Sequence, residues 1–406
     1  MTNWKKLKIE DCAEVIGGGT PSTKKKEYWD GDISWITPKD LSNYNNRYIS
    51  KGSRNISEKG LKYSSARLLP KNSVLLTTRA PIGYLAISKK ELATNQGFKS
   101  LIMKNGNVPE FFYYLLKNNI NKLLQYASGT TFMELNATNL KSIEFYIPEV
   151  YEQKRIASIL SALDDKIELN NKTNKILEEM AQTIFKEWFI NFNFPNEDGK
   201  PYKKSGGEMI DSELGKIPKG WKVITLKDII SIAKGKKPKA TSDKITEKFT
   251  MPYLTINCYN NEATEYTEYN EKMHVKELDI VMVMDGNAGK IFYGKEGILS
   301  STMAKLIVED SNLNELVFYF LKSIEYDLMY HTVGSVIQHA DKQYMLNKKF
   351  CVSLDNLERL SDIFKCIRKE ISLNKKENEK LSNIRDSLLP KLMTPKGRRA
   401  DGKIRV

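Results

Sequence analysis

The residues that build metal sites and disulfides are scarce in this 406-residue chain, which has four cysteines and three histidines. Cys12, Cys258, Cys351 and Cys366 lie far apart and never form a Cys-x-x-Cys pair. That spacing fits neither a zinc site nor a disulfide framework, and it predicts buried free thiols in a reducing cytoplasm. His274, His331 and His339 stand at no metal-ligand spacing, so no metal centre is expected. Long apolar runs are missing too. A bilayer span needs ~20 residues, and the longest run here covers only residues 316–321. The opening Met1-Thr2-Asn3-Trp4-Lys5-Lys6 carries charge with no apolar stretch behind it, unlike a signal peptide. A cytoplasmic protein is expected.

Motifs for bond chemistry are also lacking. A phosphate-cradling Gly-x-x-x-x-Gly-Lys-Ser/Thr loop is approached only by Gly286-Asn287-Ala288-Gly289-Lys290, with the wrong spacing and no hydroxyl. There is no Asn/Asp-Pro-Pro-Tyr/Phe motif of the kind that grips a flipped adenine, and no glycine-rich cofactor loop beside one. Asp164-Asp165-Lys166 has the residue types of a metal nuclease, but it falls on a helical pattern beside Leu163 and reads as a solvated face.

What the chain does have is positive charge. Lys and Arg number 64 against 50 Asp and Glu, a formal net charge of +14. Such an excess favours a polyanionic partner, nucleic acid above all. Hydrophobic residues at 40% and aromatics at 10% suffice for packed cores.

The sequence is also written twice. Ile167, Leu169, Asn170, Lys172, Asn174 and Leu177 recur as Ile371, Leu373, Asn374, Lys376, Asn378 and Leu381, each displaced by 204. Looser echoes surround this anchor: Trp4-Lys5-Lys6-Leu7 with Trp221-Lys222-Val223-Ile224, and Val74-Leu75-Leu76 with Ile280-Val281-Met282. Gly129-Thr130-Thr131-Phe132 likewise echoes Gly334-Ser335-Val336-Ile337. A tandem duplication follows, globular half and helix twice over. Its expected parts are a first domain over 1–150, a central helix over 151–193, a Pro-, Gly- and Lys-rich linker over 194–219, a second domain over 220–355, a distal helix over 356–393, and a basic tail over 394–406.

In the central helix Ile156, Leu160, Leu163, Ile167, Asn170, Asn174, Leu177, Ala181, Ile184 and Trp188 step by four and three, which is a coiled-coil seam. The distal copy runs Leu360, Phe364, Ile367, Ile371, Asn374, Asn378, Leu381, Arg385, Leu388 and Leu392, with Pro390 expected to stop it. Either the two seams pair, or each helix packs on its own half. Asn170, Asn174, Asn374 and Asn378 put polar groups into the seam, where a buried Asn fixes register and partner.

The globular halves show short strand-like runs, such as residues 33–37, 74–78 and 141–147, then 252–256, 279–284 and 303–308, with short helices near 109–126 and 314–329. This is an α+β pattern. Candidate DNA contacts lie in the intervening loops. Thr20, Ser22, Thr23, Lys24, Lys25 and Lys26 follow a glycine run, which suits phosphate contact; Lys234, Lys236, Lys237 and Lys239 keep that basic character. Thr77, Thr78, Arg79, Asn95 and Gln96 include the types that read base edges. Asn287, Gln338 and His339 stand near corresponding places, and Thr130, Thr131 and Ser335 supply hydroxyls on the echoed loops.

The opening Gly18-Gly19-Thr20-Pro21-Ser22, then residues 28–41, Ala93-Thr94-Asn95-Gln96-Gly97-Phe98-Lys99, the helix entry at Pro148 and Glu152-Gln153, and the end from Arg385 to Met393 together resemble specificity subunits of Type I restriction–modification enzymes. The second half departs from the pattern: it lacks Thr-Pro-Ser near Lys234 and Glu-Gln before Leu360. The resemblance implies two target-recognition domains in tandem, separated by two long helices pairing as an antiparallel coiled coil, with pseudo-two-fold symmetry. It implies that each domain reads one part of a split, asymmetric target in double-stranded DNA. The implied partners are two methyltransferase subunits and the restriction subunits; S-adenosylmethionine, ATP and Mg belong to those partners, and no cofactor to this chain. The competing readings are a DNA methyltransferase or nuclease carrying its own specificity domain, and a coiled-coil adaptor that binds no DNA.

Overall fold

The computed structural model describes residues 4–79, 81–129, 133–260, 264–334, 338–353 and 357–395. The chain divides into two compact units: Met1–Asn171 with Asn374–Val406, and Lys172–Leu373. Each unit therefore holds one strand-rich domain and a part of each long helix.

The first unit is built on a five-stranded sheet ordered Ala13–Gly17, Lys99–Met103, Val74–Thr78, Ile82–Ser88 and Tyr48–Ile49. Val74–Thr78 is buried at all five positions, as a continuous run of β-branched and aliphatic residues favours for a central strand. Helix Pro109–Asn118 covers one face, burying Phe111, Phe112, Tyr114, Leu115 and Leu116 with Val74, Leu76, Ile87 and Leu101. A three-stranded sheet of Arg54–Ile56, Trp29–Ile36 and Ala93–Thr94 lies beside it, and Lys5–Lys8 pairs antiparallel with Glu144–Ile147.

The second unit repeats this plan. Ile230–Lys234, Met303–Val308, Ile280–Val283 and Ile291–Tyr293 form a four-stranded sheet, and Trp221–Thr225 pairs with Lys349–Ser353 as Lys5–Lys8 does with Glu144–Ile147. Helices Asn314–Ser323 and Glu325–Tyr330 stand where Pro109–Asn118 and Ile120–Gln125 stand in the first. The α+β duplication read from the sequence holds in both halves.

The long helices run Val150–Phe185 and Leu357–Leu392, 36 residues each, or ~54 Å at 1.5 Å per residue. Within the first unit they pair antiparallel: Asp164 meets Arg385 while Asn170, further along, meets Asn378, further back. Within the second unit Phe185, Trp188 and Phe189 pack their rings against Phe364.

Several expectations are corrected. Phe185 and Phe189, outside the heptad pattern, are buried beside the expected seam residues Ile184 and Trp188, which pack partly buried against the same core. Phe185 follows Ala181 by four residues within the regular helix, whose 3.6-residue turn drifts from a strict 3.5 repeat. A π-helical turn over Lys186–Ile190 then shifts the phase further. Pro390 does not stop the distal helix, which continues to Leu392. In the last turn a proline removes only one intrahelical bond, from a carbonyl at exposed Asp386. Residues 194–219 are no bare linker. Met209–Ser212 and Gly215–Pro218 form a hairpin, and Phe194, Tyr202 and Trp221 stack, anchoring the segment in the second unit's core. Lys141 belongs to helix Ala137–Ser142, ahead of the strand. All four cysteines are free, but Cys366 is exposed; burial pushes the Cys12 and Cys351 thiols up to about 11. Among the described residues no helix is long and apolar enough to cross a membrane.

Of Asp164-Asp165-Lys166, Asp165 and Lys166 are exposed as expected, but Asp164 is buried. Asp164 is 6% exposed and accepts hydrogen bonds from Tyr114 Oη and Arg385 Nη1, both at 2.6 Å. Asp165 pairs with buried Arg47, and Lys166 lies 3.1 Å from Glu377. Asn170, also buried, donates through Nδ2 to Glu377 Oε2 at 2.7 Å and Asn378 Oδ1 at 2.9 Å. The seam asparagines thus bond across the helix pair, as a register role requires. Asn374 is buried and Asn174 half-buried on the same pair of helices.

Candidate nucleic-acid interface

The glycine run ahead of Thr20 is packed tightly. A Cβ on Gly18 would come within 2.0 Å of Asn95 O, and one on Gly19 within 2.3 Å of the Ser65–Ala66 backbone. Gly19 donates its N–H to Thr94 O at 2.9 Å. The glycines let two loops touch, and the tryptophan N–H groups of Trp29 and Trp35 pin the result, donating to Ser22 O and Gly19 O. The second domain keeps the one glycine this needs: a Cβ on Gly235 would lie 2.1 Å from Ser300 O.

This contact brings Thr20 to Gln96, whose side chains are hydrogen-bonded. Ser22, Thr23, Lys24, Lys25 and Lys26 follow as an exposed stretch. Lys25 donates to Tyr28 Oη at 3.0 Å, which raises its pKa. Asn95 is half-buried, and its Oδ1 accepts from Gly97 N at 2.9 Å.

Thr77 and Thr78 are corrected. Both are fully buried; Thr77 Oγ1 accepts from Tyr84 N, and Thr78 donates through N to Gly97 O at 2.7 Å. Their strand bonds hold the sheet, and a base cannot reach them. Arg79, at the strand end, is half exposed and lies 2.7 Å from Glu134 Oε2; Lys99 Nζ lies 3.9 Å from the other oxygen. The Arg79 hydrogen bond holds the Glu134 carboxyl below its ordinary range, and burial lowers Lys99.

In the second domain Lys234 sits 3.5 Å from Asp285, and His339 Nδ1 lies 2.7 Å from the same carboxylate. Gln338 O accepts from Gly286 N, so Gln338, His339 and exposed Asn287 share this edge of the sheet. Lys236, Lys237 and Lys239 are exposed and line a cleft of about 360 Å³ with Thr267, Tyr269 and Lys272. Thr130, Thr131 and Ser335 lie outside the described residues.

Sequence reading missed Glu134 and Lys99 as members of this edge. The signal was there in part: Glu134 and His339 occupy the same place in the repeat, five residues after Gly129 and Gly334. Chemically the edges offer ammonium, guanidinium, amide and hydroxyl groups, the donors that phosphates and base edges accept. No group of three or more His, Cys, Asp or Glu that could hold a metal ion occurs among the described residues.

Comparison with known proteins places the chain in a family. The family profile described as Type I restriction modification DNA specificity domain matches residues 1–179 and again 218–383. The MjaIX specificity subunit of Methanocaldococcus jannaschii is 36% identical, with 96% of this chain and 93% of that protein covered. The HindI specificity subunit of Haemophilus influenzae is 22% identical over 97% of this chain and 99% of its own length. The crystal structure of a Type I restriction–modification S subunit from M. genitalium shares the fold, with a TM-score of 0.61 at 18% identity over 97% of this chain and 96% of that one. The chain belongs to the specificity-subunit family of Type I restriction–modification systems, the non-catalytic components that recognise DNA.

Proposed function

We propose that the two domains each read one part of a split, asymmetric target in double-stranded DNA, and that the paired helices act as the spacer. The observation that carries this reading is the duplication: the same strand pairings and the same glycine-to-carbonyl approach recur in both domains, while the side chains at the exposed sheet edge differ. Equal scaffolds with unequal edges suit two different half-sites. Thr20, Lys24, Lys26, Arg79 and Gln96 in the first domain, and Lys234, Asn287, Gln338 and His339 in the second, are the contact residues.

On this reading the chain recruits two methyltransferase subunits, which methylate adenine with S-adenosylmethionine, and restriction subunits, which use ATP and Mg to translocate and cut DNA. The chain itself binds no cofactor, and it works in the cytoplasm. Mapping methylated adenines in cells that carry the partner methyltransferase, with and without this chain, is the test. A two-part motif that depends on the chain is expected. Methylation of the same motif without the chain, or a single unbroken motif, would refute the proposal.

A further inference from the structure

At one place in each domain a single carboxylate gathers two basic side chains. In the first domain Glu134 holds Arg79 and Lys99; in the second Asp285 holds Lys234 and His339. The backbone shows that these are equivalent places. Ser128 and Glu134 exchange two backbone hydrogen bonds at 2.9 Å, and Leu135 N donates to Thr78 O. Correspondingly Val333 pairs with His339, and Ala340 N donates to Met284 O. Gly17 pairs with Lys99 at the end of one strand pair, and Lys234 with Ala304 at the end of the other.

Yet no position carries the same residue twice. Arg79 is answered by Asp285 and Glu134 by His339, so acid and base have changed sides. The lysine has crossed from the second strand of its pair, at Lys99, to the first, at Lys234. Partly exposed ion pairs of this kind contribute little to stability, so folding does not explain why the charge set survives a complete exchange of its members. A carboxylate at an edge that meets DNA also repels phosphate.

We infer that Glu134 and Asp285 are built-in competitors for the DNA backbone: each occupies, in the free protein, the two basic groups that phosphate takes in the complex. The carboxylate lowers affinity for every duplex by the same factor, so the ratio of target to non-target affinity is unchanged. Binding to non-target DNA falls to a level where only a target that supplies the full set of base contacts is held. This inference rests on the DNA-reading function proposed above.

The test measures binding of the full chain to a short random-sequence duplex as salt is varied, for wild type, Glu134→Gln and Asp285→Asn. Each variant keeps the side-chain shape and removes the negative charge. Each should bind random DNA more tightly, with a log–log salt slope steeper by about 0.9 for every further phosphate neutralised, roughly fivefold in affinity per phosphate near ~0.15 M salt. Arg79→Gln should shift the slope the other way. The thermal unfolding midpoint, read alongside, separates a folded variant from a damaged one, and the two domains supply independent trials. Folded Glu134→Gln and Asp285→Asn proteins with unchanged or weaker binding and an unchanged slope would overturn the inference. Wild-type protein that binds no duplex, or binds it without salt dependence, would overturn the DNA-reading function as well, so the two failures are distinct.

Discussion

Asp164 accepts a 2.6 Å hydrogen bond from Arg385 Nη1, joining the two long helices inside the first unit, while Tyr114 of the domain's helix donates to its other oxygen. One buried carboxylate thereby ties the spacer pair to the domain it carries. Removing one partner of a buried pair leaves an uncompensated charge. Asp164→Ala should therefore destabilise the first unit by ~3 kcal/mol, whereas replacing Asp164 and Arg385 together by Leu and Met should cost clearly less. Denaturant titration of the single and double variants checks this; an equal loss in both would assign the effect to packing alone.

The second unit makes its own tie with a different device. Glu315 is buried against the Tyr293 hydroxyl, and Arg368 lies 3.6 Å over the Tyr293 ring. Burial raises the Glu315 carboxyl above its ordinary range, although Tyr293 and Arg368 pull the other way. The folded state then binds this proton more tightly than the unfolded chain. Its contribution is complete below the unfolded value of about 4.3 and is lost as pH rises through the higher folded value. Glu315→Gln should match wild type near pH ~4 and gain on it towards pH ~8. A constant difference across that range would contradict the assignment.

Lys24, Lys25 and Lys26 lie exposed after the pinned glycine contact. Replacing all three by Gln should weaken binding to every duplex and flatten the salt dependence by up to about three phosphate contacts' worth. An unchanged slope would make them a solvated surface only.

Local pattern carries much of the fold. Residues 74–78 and 303–308 read as strands at their observed bounds, because an unbroken apolar or β-branched run admits few other readings. Both long helices are readable from their period. What escapes depends on distant partners or on a change of period. Asp164 looks solvated until Tyr114 and Arg385, remote in sequence, close on it. Phe185 and Phe189 join Ile184 and Trp188 on the core because the 3.6-residue turn drifts from the heptad count and a π turn follows at Lys186–Ile190. At the interface, base-reading residue types draw attention to Thr77 and Thr78, which the sheet buries. The acid that holds Arg79 passes unseen because an isolated Glu134 has no local signature.

The helix pair as a ruler is what the proposed function stands on. Asn170 opposite Asn378 gives the register within the first unit. Seven residues inserted between Asn170 and Asn171, and seven between Glu377 and Asn378, keep the seam in phase and lengthen both helices by ~10 Å. Adenine-methylation mapping in cells carrying this variant with its methyltransferase reads the outcome. Both parts of the recognised motif should keep their bases while the unread gap between them grows by about three base pairs, at ~3.4 Å each. An unchanged gap, from a folded and active complex, would contradict the account.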